Sequence, residues 1–309
     1  MDKPWTEQEI PDLTRKTAIV TGASSGLGYE TARALAIHGA EVVLAVRNLE
    51  KGRQAEEQIK KIAPDAKVSL GKLDLGDLNS IHQFADSFSQ IHRSLSLLIN
   101  NAGVMMPPYG KTEDGFELQF GINFLGHFAL TGLLFHKLTS AANSRVVTLS
   151  SLAAHHASID FDNLDGSKGY RPMKFYSQSK LADLLFARQL QYKFDELKIS
   201  SLSVAAHPGI SHTNLSSRNS GKKANRLFLL ISKLISQPAS MGALPTLFAA
   251  TSGKISGGEY IGPDGKGGRK GYPFKEPLIE RLYDAAVAQK LWTIAEQMTG
   301  ITYPAPQQG

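Results

Sequence analysis

The sequence predicts an α/β fold in a single domain: a doubly wound, mostly parallel sheet of seven strands with helices on both faces. Three observations predict it. Short apolar runs near 17–21, 41–46, 67–70, 95–99, 144–149, 200–206 and 257–261 alternate with helical stretches that fill the gaps, the pattern of a parallel sheet covered on both faces. A glycine-rich turn follows the first run directly. The 309 residues, 42% of them apolar, can bury one large core, and no repeat or low-complexity linker divides them.

Residues 1–15 form a polar arm with no basic-then-apolar leader pattern. The first strand then feeds Thr21-Gly-Ala-Ser-Ser-Gly-Leu-Gly28, and an amphipathic helix follows through Leu27, Thr31, Ala34, Leu35 and Ile37. Gly22, Gly26 and Gly28 lack a Cβ, so the backbone can turn sharply and come close to a phosphate. The helix start behind them offers free N–H groups and the positive end of its dipole. The spacing is Thr-Gly-x-x-x-Gly-x-Gly, not the G-x-G-x-x-G of the long-chain dinucleotide folds.

The second strand, 41–46, ends in Arg47-Asn48, and no acid appears before Glu50. A site selective for NAD places a carboxylate there to bond the ribose 2′-hydroxyl. A guanidinium would meet a 2′-phosphate instead, so the residues favour NADP, with NAD still possible. Beyond the later strands lie Asp74-Leu75, Asn100-Asn101-Ala102-Gly103, Asn123, the serine pair Ser150-Ser151, and His207-Pro208-Gly209 with Thr213.

Tyr176 and Lys180 are spaced i and i+4, so a helix brings phenol and ammonium to one face. A positive neighbour favours phenolate over a phenol that ordinarily titrates near ~10. That makes the tyrosine a candidate general acid and base.

These motifs, in this order, resemble the short-chain dehydrogenases/reductases over about residues 15–270, a Rossmann-type fold. The resemblance implies catalytic roles for Asn123, Ser151, Tyr176 and Lys180. Ser151 is taken over Ser150 because the family uses the second serine. Lys180 is further expected to bond the nicotinamide ribose, and Asn123 to hold a water that relays protons. Cofactor contacts are implied at Gly22, Ser24, Ser25, Gly26, Leu27, Gly28, Arg47, Asn48, Asp74, Leu75, Asn101, Ala102, Gly103, Tyr176, Lys180, Pro208, Gly209 and Thr213. The long gap from Ser151 to Tyr176, with an insertion over 154–164, resembles the retinol dehydrogenase and protochlorophyllide reductase-like branch. Expected from this is an oxidoreductase interconverting a carbonyl and an alcohol on an apolar small molecule. The alternatives are a non-catalytic NADP-binding sensor or scaffold, and a reductase of carbon–carbon double bonds. The complete set of four catalytic positions argues against the first, and the lack of cysteine against the second.

With no cysteine, disulfides and thiolate metal sites are excluded, and cytoplasmic residence is the expected location. No metal is expected, and His155-His156 read as loop or pocket-wall residues. The net charge of +6 comes with only short basic doublets such as Lys60-Lys61 and Lys222-Lys223. That argues against nucleic acid and suits attraction of a polyanionic cofactor. Residues 211–240 are expected to form a substrate lid, and 270–309 a C-terminal extension. The apolar stretch 222–236 reads as a lid helix over the pocket in preference to a helix on a membrane surface. The helices near 112–138 and 174–197 resemble those that pair in family dimers, so a homo-oligomer is a possible state.

Overall fold

The computed structural model describes residues 3–210 and 237–305. The expected lid, 211–240, and Thr213 therefore lie largely or wholly outside the described residues, as does the 222–236 segment. Seven parallel strands follow in chain order: β1 (Thr17–Thr21), β2 (Glu41–Val46), β3 (Val68–Lys72), β4 (Leu97–Asn100), β5 (Arg145–Leu149), β6 (Leu202–Ala206) and β7 (Tyr260–Pro263). The seven-stranded expectation falls one short. An eighth strand, β8 (Pro273–Lys275), pairs antiparallel with β7 at the sheet edge. Its three residues are too few, and too polar in context, to show a strand period in the sequence.

The spatial order is β3-β2-β1-β4-β5-β6-β7-β8. Strand order reverses between β1 and β4, and ligands of open α/β sheets bind at the carboxyl ends beside such a switch point. The β1–β2 register aligns Thr17 with Glu41 and Thr21 with Ala45, which brings the glycine turn level with the end of β2.

Alternating side chains divide the sheet into two faces. Ala18, Val20, Val42, Leu44, Ile99 and Val147 meet α1 (Gly26–Ile37), α2 (Leu49–Ile62) and α7 (Ala239–Thr251). Ile19, Val43, Leu98 and Val146 meet α3 (Leu78–Ile91), α4 (Gly126–Leu133) and α6 (Pro172–Glu196). The helices begin where capping chemistry allows. Asn48 accepts the Lys51 N–H, Asp77 accepts the Asn79 N–H, and Pro172 starts α6, where a missing N–H costs nothing.

The helix expected near 112–138 is shorter and interrupted. A π-helical turn, Phe120–Leu125, precedes α4, and α5 (Phe135–Thr139) follows a break at Leu134. The C-terminal extension carries α8 (Ile279–Leu282) and α9 (Ala285–Thr299), which closes on Gly300 in the left-handed region. From α9, Trp292 packs edge-on to Phe128 at 5.1 Å, and the Tyr303 hydroxyl donates to the Phe128 carbonyl at 2.7 Å. The extension thus lies across α4 and α6. No helix among the described residues is long and apolar enough to cross a membrane.

Candidate active site

A cleft of about 480 Å³ opens at the switch point. Its lining includes Gly22, Ser24, Ser25, Gly26, Leu27 and Gly28 from the turn, Arg47 and Asn48 after β2, Asp74 and Leu75 after β3, and Asn101, Ala102 and Gly103 after β4. Gly22 and Gly26 have φ of 67° and 60°, a backbone that an L side chain strains to adopt. Gly28 is required by space: a Cβ there would lie 2.5 Å from Asn101 Nδ2 and 2.6 Å from the Gly22 carbonyl oxygen. Ser25 caps α1 without a side-chain hydrogen bond, and no acid stands in the first turn. The positive end of a 12-residue helix is therefore open toward the cleft, which fits a bound phosphate.

Two residues of the lining, Asn48 and Asp74, have uses that the sequence did not show. The Asn48 side-chain oxygen is occupied as the cap of α2. Asp74 accepts the Gly76 N–H through Oδ1 at 3.0 Å. Lys51, one helical turn beyond Arg47, also lines the cleft and adds a second cation there.

The floor of the cleft is fixed by Thr21. Its hydroxyl oxygen accepts the N–H groups of Asn101 and Ala102, both at 2.9 Å, and the Asn101 amide donates to the Thr21 carbonyl at 2.7 Å. The Thr21 hydroxyl also lies 2.9 Å from His127 Nε2, while His127 Nδ1 lies 2.7 Å from the Asn123 carbonyl. Burial pushes the His127 imidazole down to about 3, so the ring is neutral. A carbonyl can only accept, so Nδ1 carries the proton and Nε2 accepts from Thr21. His127 thereby ties the cofactor turn to the π-helical turn that carries Asn123.

Asn123 is fully buried, with its side chain engaged throughout. Oδ1 accepts the Val104 N–H at 2.8 Å, and Nδ2 donates to the Val104 carbonyl at 3.0 Å and the Ser179 hydroxyl at 2.9 Å. The Ser179 hydroxyl in turn donates a hydrogen bond to the Tyr176 carbonyl at 2.8 Å. The amide acts as a brace between the chain after β4 and helix α6.

The serine pair is separated by geometry. Ser150 is buried, and its hydroxyl donates to the Lys180 carbonyl at 2.7 Å. Ser151, half-buried, accepts the Ala153 N–H at 3.2 Å, which leaves its own proton for another acceptor. Tyr176 and Lys180 lie on α6, 8% and 6% exposed. Lys180 Nζ donates to the Leu149 carbonyl at 2.9 Å and to Asp183 Oδ2 at 2.8 Å. A Cβ placed on Gly103 would lie 3.7 Å from that ammonium and 3.1 Å from Asn123 Oδ1. Gly103 therefore joins the cofactor cleft to the catalytic candidates.

Pro208 and Gly209 lie outside that lining. Gly209, at φ 64°, is held against the Arg269 carbonyl, which accepts the Ile210 N–H at 2.7 Å, and the Pro208 carbonyl accepts from Gln237. Beside them His207 is fully buried, with Glu276 3.6 Å from Nε2. The Tyr260 hydroxyl lies 3.4 Å from both the Ser151 carbonyl and His155 Nε2. Burial pushes His155 down to about 4 and raises the Tyr260 phenol. His155 is thus neutral near neutral pH. The residues that sequence reasoning missed (Lys51, His127 and Asp183) each stand three or four positions after a residue it found. One helical turn was the available signal.

The model of the short chain dehydrogenase family matches residues 16–224. Mouse retinol dehydrogenase 14 is 38% identical over 299 residues, covering 93% of this chain and 86% of that protein. Mouse retinol dehydrogenase 11 is 48% identical over 203 residues, covering 66% of this chain and 64% of that protein. The crystal structure of an uncharacterized protein from Mycobacterium paratuberculosis superposes with a TM-score of 0.81 at 38% identity, covering 98% of this chain and all of that one. The chain belongs to the short-chain dehydrogenase family, in its retinol dehydrogenase-like branch, and is an oxidoreductase of the alcohol/carbonyl type.

Proposed function

We propose that the chain is an NADP(H)-dependent enzyme that interconverts a carbonyl and an alcohol on an apolar small molecule, with Tyr176 as general acid and base. The observation that carries the cofactor choice is the end of β2. Arg47 and Lys51 line the cleft there, and no carboxylate follows β2 before Glu50. A 2′-phosphate would meet two cations, while a 2′-hydroxyl would lack its usual acceptor. The turn 22–28 and the open end of α1 would hold the pyrophosphate, and Gly103 would leave room for the nicotinamide end.

The bound nicotinamide supplies or accepts the hydride. Ser151 and Tyr176 donate hydrogen bonds to the substrate oxygen, where negative charge develops during reduction. Tyr176 gives its proton to that oxygen and Lys180 stabilises the resulting phenolate by charge. In the reverse direction Tyr176 takes the proton from the alcohol. An apolar substrate is supported by Met105, Pro107, Leu118 and Ile122 in the cleft wall, and by exposed Met106, Tyr109 and Met173. The relatives named as retinol dehydrogenases point the same way, since retinol is an apolar alcohol.

Titration with NADPH and NADH, read by Trp5 or Trp292 quenching or by cofactor emission, tests this reading. Tighter NADPH binding is expected. Tighter NADH would overturn the cofactor choice, and binding of neither would return the non-catalytic alternative.

A further inference from the structure

We propose that Asp183 is the positioning residue of Lys180: it fixes the ammonium so that one donor is left for the cofactor cleft. The proposal rests on the reading of Lys180 given above. An ammonium has three donors and rotates freely on a flexible stem. Here the Leu149 carbonyl takes one donor and Asp183 Oδ2 takes another. The one that remains belongs to a nitrogen 3.7 Å from where a Gly103 Cβ would lie, and Gly103 lines the cleft. Two fixed donors determine the direction of the third.

The carboxylate is an expensive way to do this if packing were its only task. Asp183 is 1% exposed, and its Oδ1 is buried with no hydrogen-bond partner. Burial raises its carboxyl to about 7, against the pull of Lys180. Lys180, on its own helix, is the charged group acting on it among the described residues. On the facing helix His127 is neutral, on the adjoining strand Leu149 presents only its carbonyl, and Tyr176 lies two turns back along α6. An unpaired buried oxygen costs free energy that a leucine of similar size would not. A buried carboxylate bonded to the candidate catalytic lysine is what a positioning role requires.

Two variants separate aim from charge. Asp183→Asn keeps an acceptor for Nζ and removes the charge; Asp183→Leu removes both. In the full chain labelled with 15N-lysine, the Lys180 ammonium signal, identified by its loss in Lys180→Met, is expected to be protected from exchange. It should stay protected in Asp183→Asn, at a shifted position, and be lost in folded Asp183→Leu. NADPH affinity should stay within about threefold in the Asn variant and fall about tenfold in the Leu variant, the weight of one hydrogen bond to a charged group. In the Asn variant the low-pH limb of kcat/KM for alcohol oxidation should also move to lower pH, because the ammonium acts on Tyr176 unopposed.

A folded Leu variant with the wild-type ammonium signal and affinity would overturn the proposal. Were the Leu variant not to fold, an Asn variant with an unmoved Lys180 signal and an unmoved pH limb would overturn it equally. Because the ammonium signal is read without cofactor, it decides the role of Asp183 even if neither cofactor binds or Tyr176→Phe stays active, results that would instead sink the functional reading.

Discussion

The cofactor cleft on β1–β4 and the reaction centre on β5–α6 are built from different materials. The first is mostly backbone: a turn with two glycines at positive φ, a third glycine pressed on Asn101, and the uncapped start of α1. The second is made of buried side chains: Asn123, Ser150, Ser179, Lys180 and Asp183, each bonded to another segment or to its own helix. A backbone site fails when atoms are added to it. A side-chain site fails when a functional group is taken away.

The sharpest test of this contrast is Tyr176→Phe. Removing one hydroxyl should lower turnover by about 10²–10⁴-fold while NADPH affinity changes little, measured by steady-state rates and cofactor titration. Retained activity would remove Tyr176 from the acid role. Gly28→Ala should do the reverse, adding one carbon where Asn101 Nδ2 and the Gly22 carbonyl stand. We expect lost cofactor binding together with about 1–3 kcal/mol of destabilisation in urea unfolding. A stable variant with normal affinity would show that the turn yields.

Arg47→Asp probes the one place where a side chain governs the backbone-built half. NADPH should weaken by about tenfold to a hundredfold and NADH should gain, as expected for exchanging a charge-assisted bond for repulsion. Equal affinities in the variant would mean the 2′-phosphate lies elsewhere.

The smallest effect concerns the joint between the halves. The folded value of His127 lies near 3, below the ordinary 6.5, so the unfolded chain binds the extra proton first on acidification. Stability from this group is complete above pH 6.5 and is lost as pH falls toward 3. Between pH 6.5 and 5 that loss is about 2 kcal/mol, and His127→Gln should abolish it in urea unfolding series. Asp183, raised to about 7, has the opposite sign: its contribution is complete below the unfolded value and is lost as pH rises through 7. Asp183→Asn should therefore gain on the wild type between pH 5 and pH 8. Identical pH slopes in both variants and the wild type would sever the link between these buried groups and stability.

Much of this architecture was legible beforehand because it is local. The turn after β1 follows from glycine spacing, and the two faces of the sheet from alternation along each strand. What escaped the sequence lies at longer range or in the choice of partner. Asn48 is expected to contact the cofactor, and only its bond to Lys51 shows that its side-chain oxygen caps a helix. Ser150 and Ser151 are equivalent by residue type; the resemblance picks Ser151, but only the fold shows that the Ser150 hydroxyl is occupied by the Lys180 carbonyl. Ile37, expected on the apolar stripe of α1, is 38% exposed, because it is the last residue of the helix, where the chain turns back.

By itself the sequence determined the strand–helix alternation, the phosphate turn and the Tyr176/Lys180 face, since steric limits and the 3.6-residue period act within a few residues. Only the tertiary structure decided which distant groups meet. Thr21 and His127 are 106 positions apart, and Phe128 and Tyr303 are 175 apart. Those contacts exist because the strand order sets β1 beside β4 and the C-terminal helix crosses α4. The free energy that selects such an order comes from burying both faces of the whole sheet, a sum that no single segment carries.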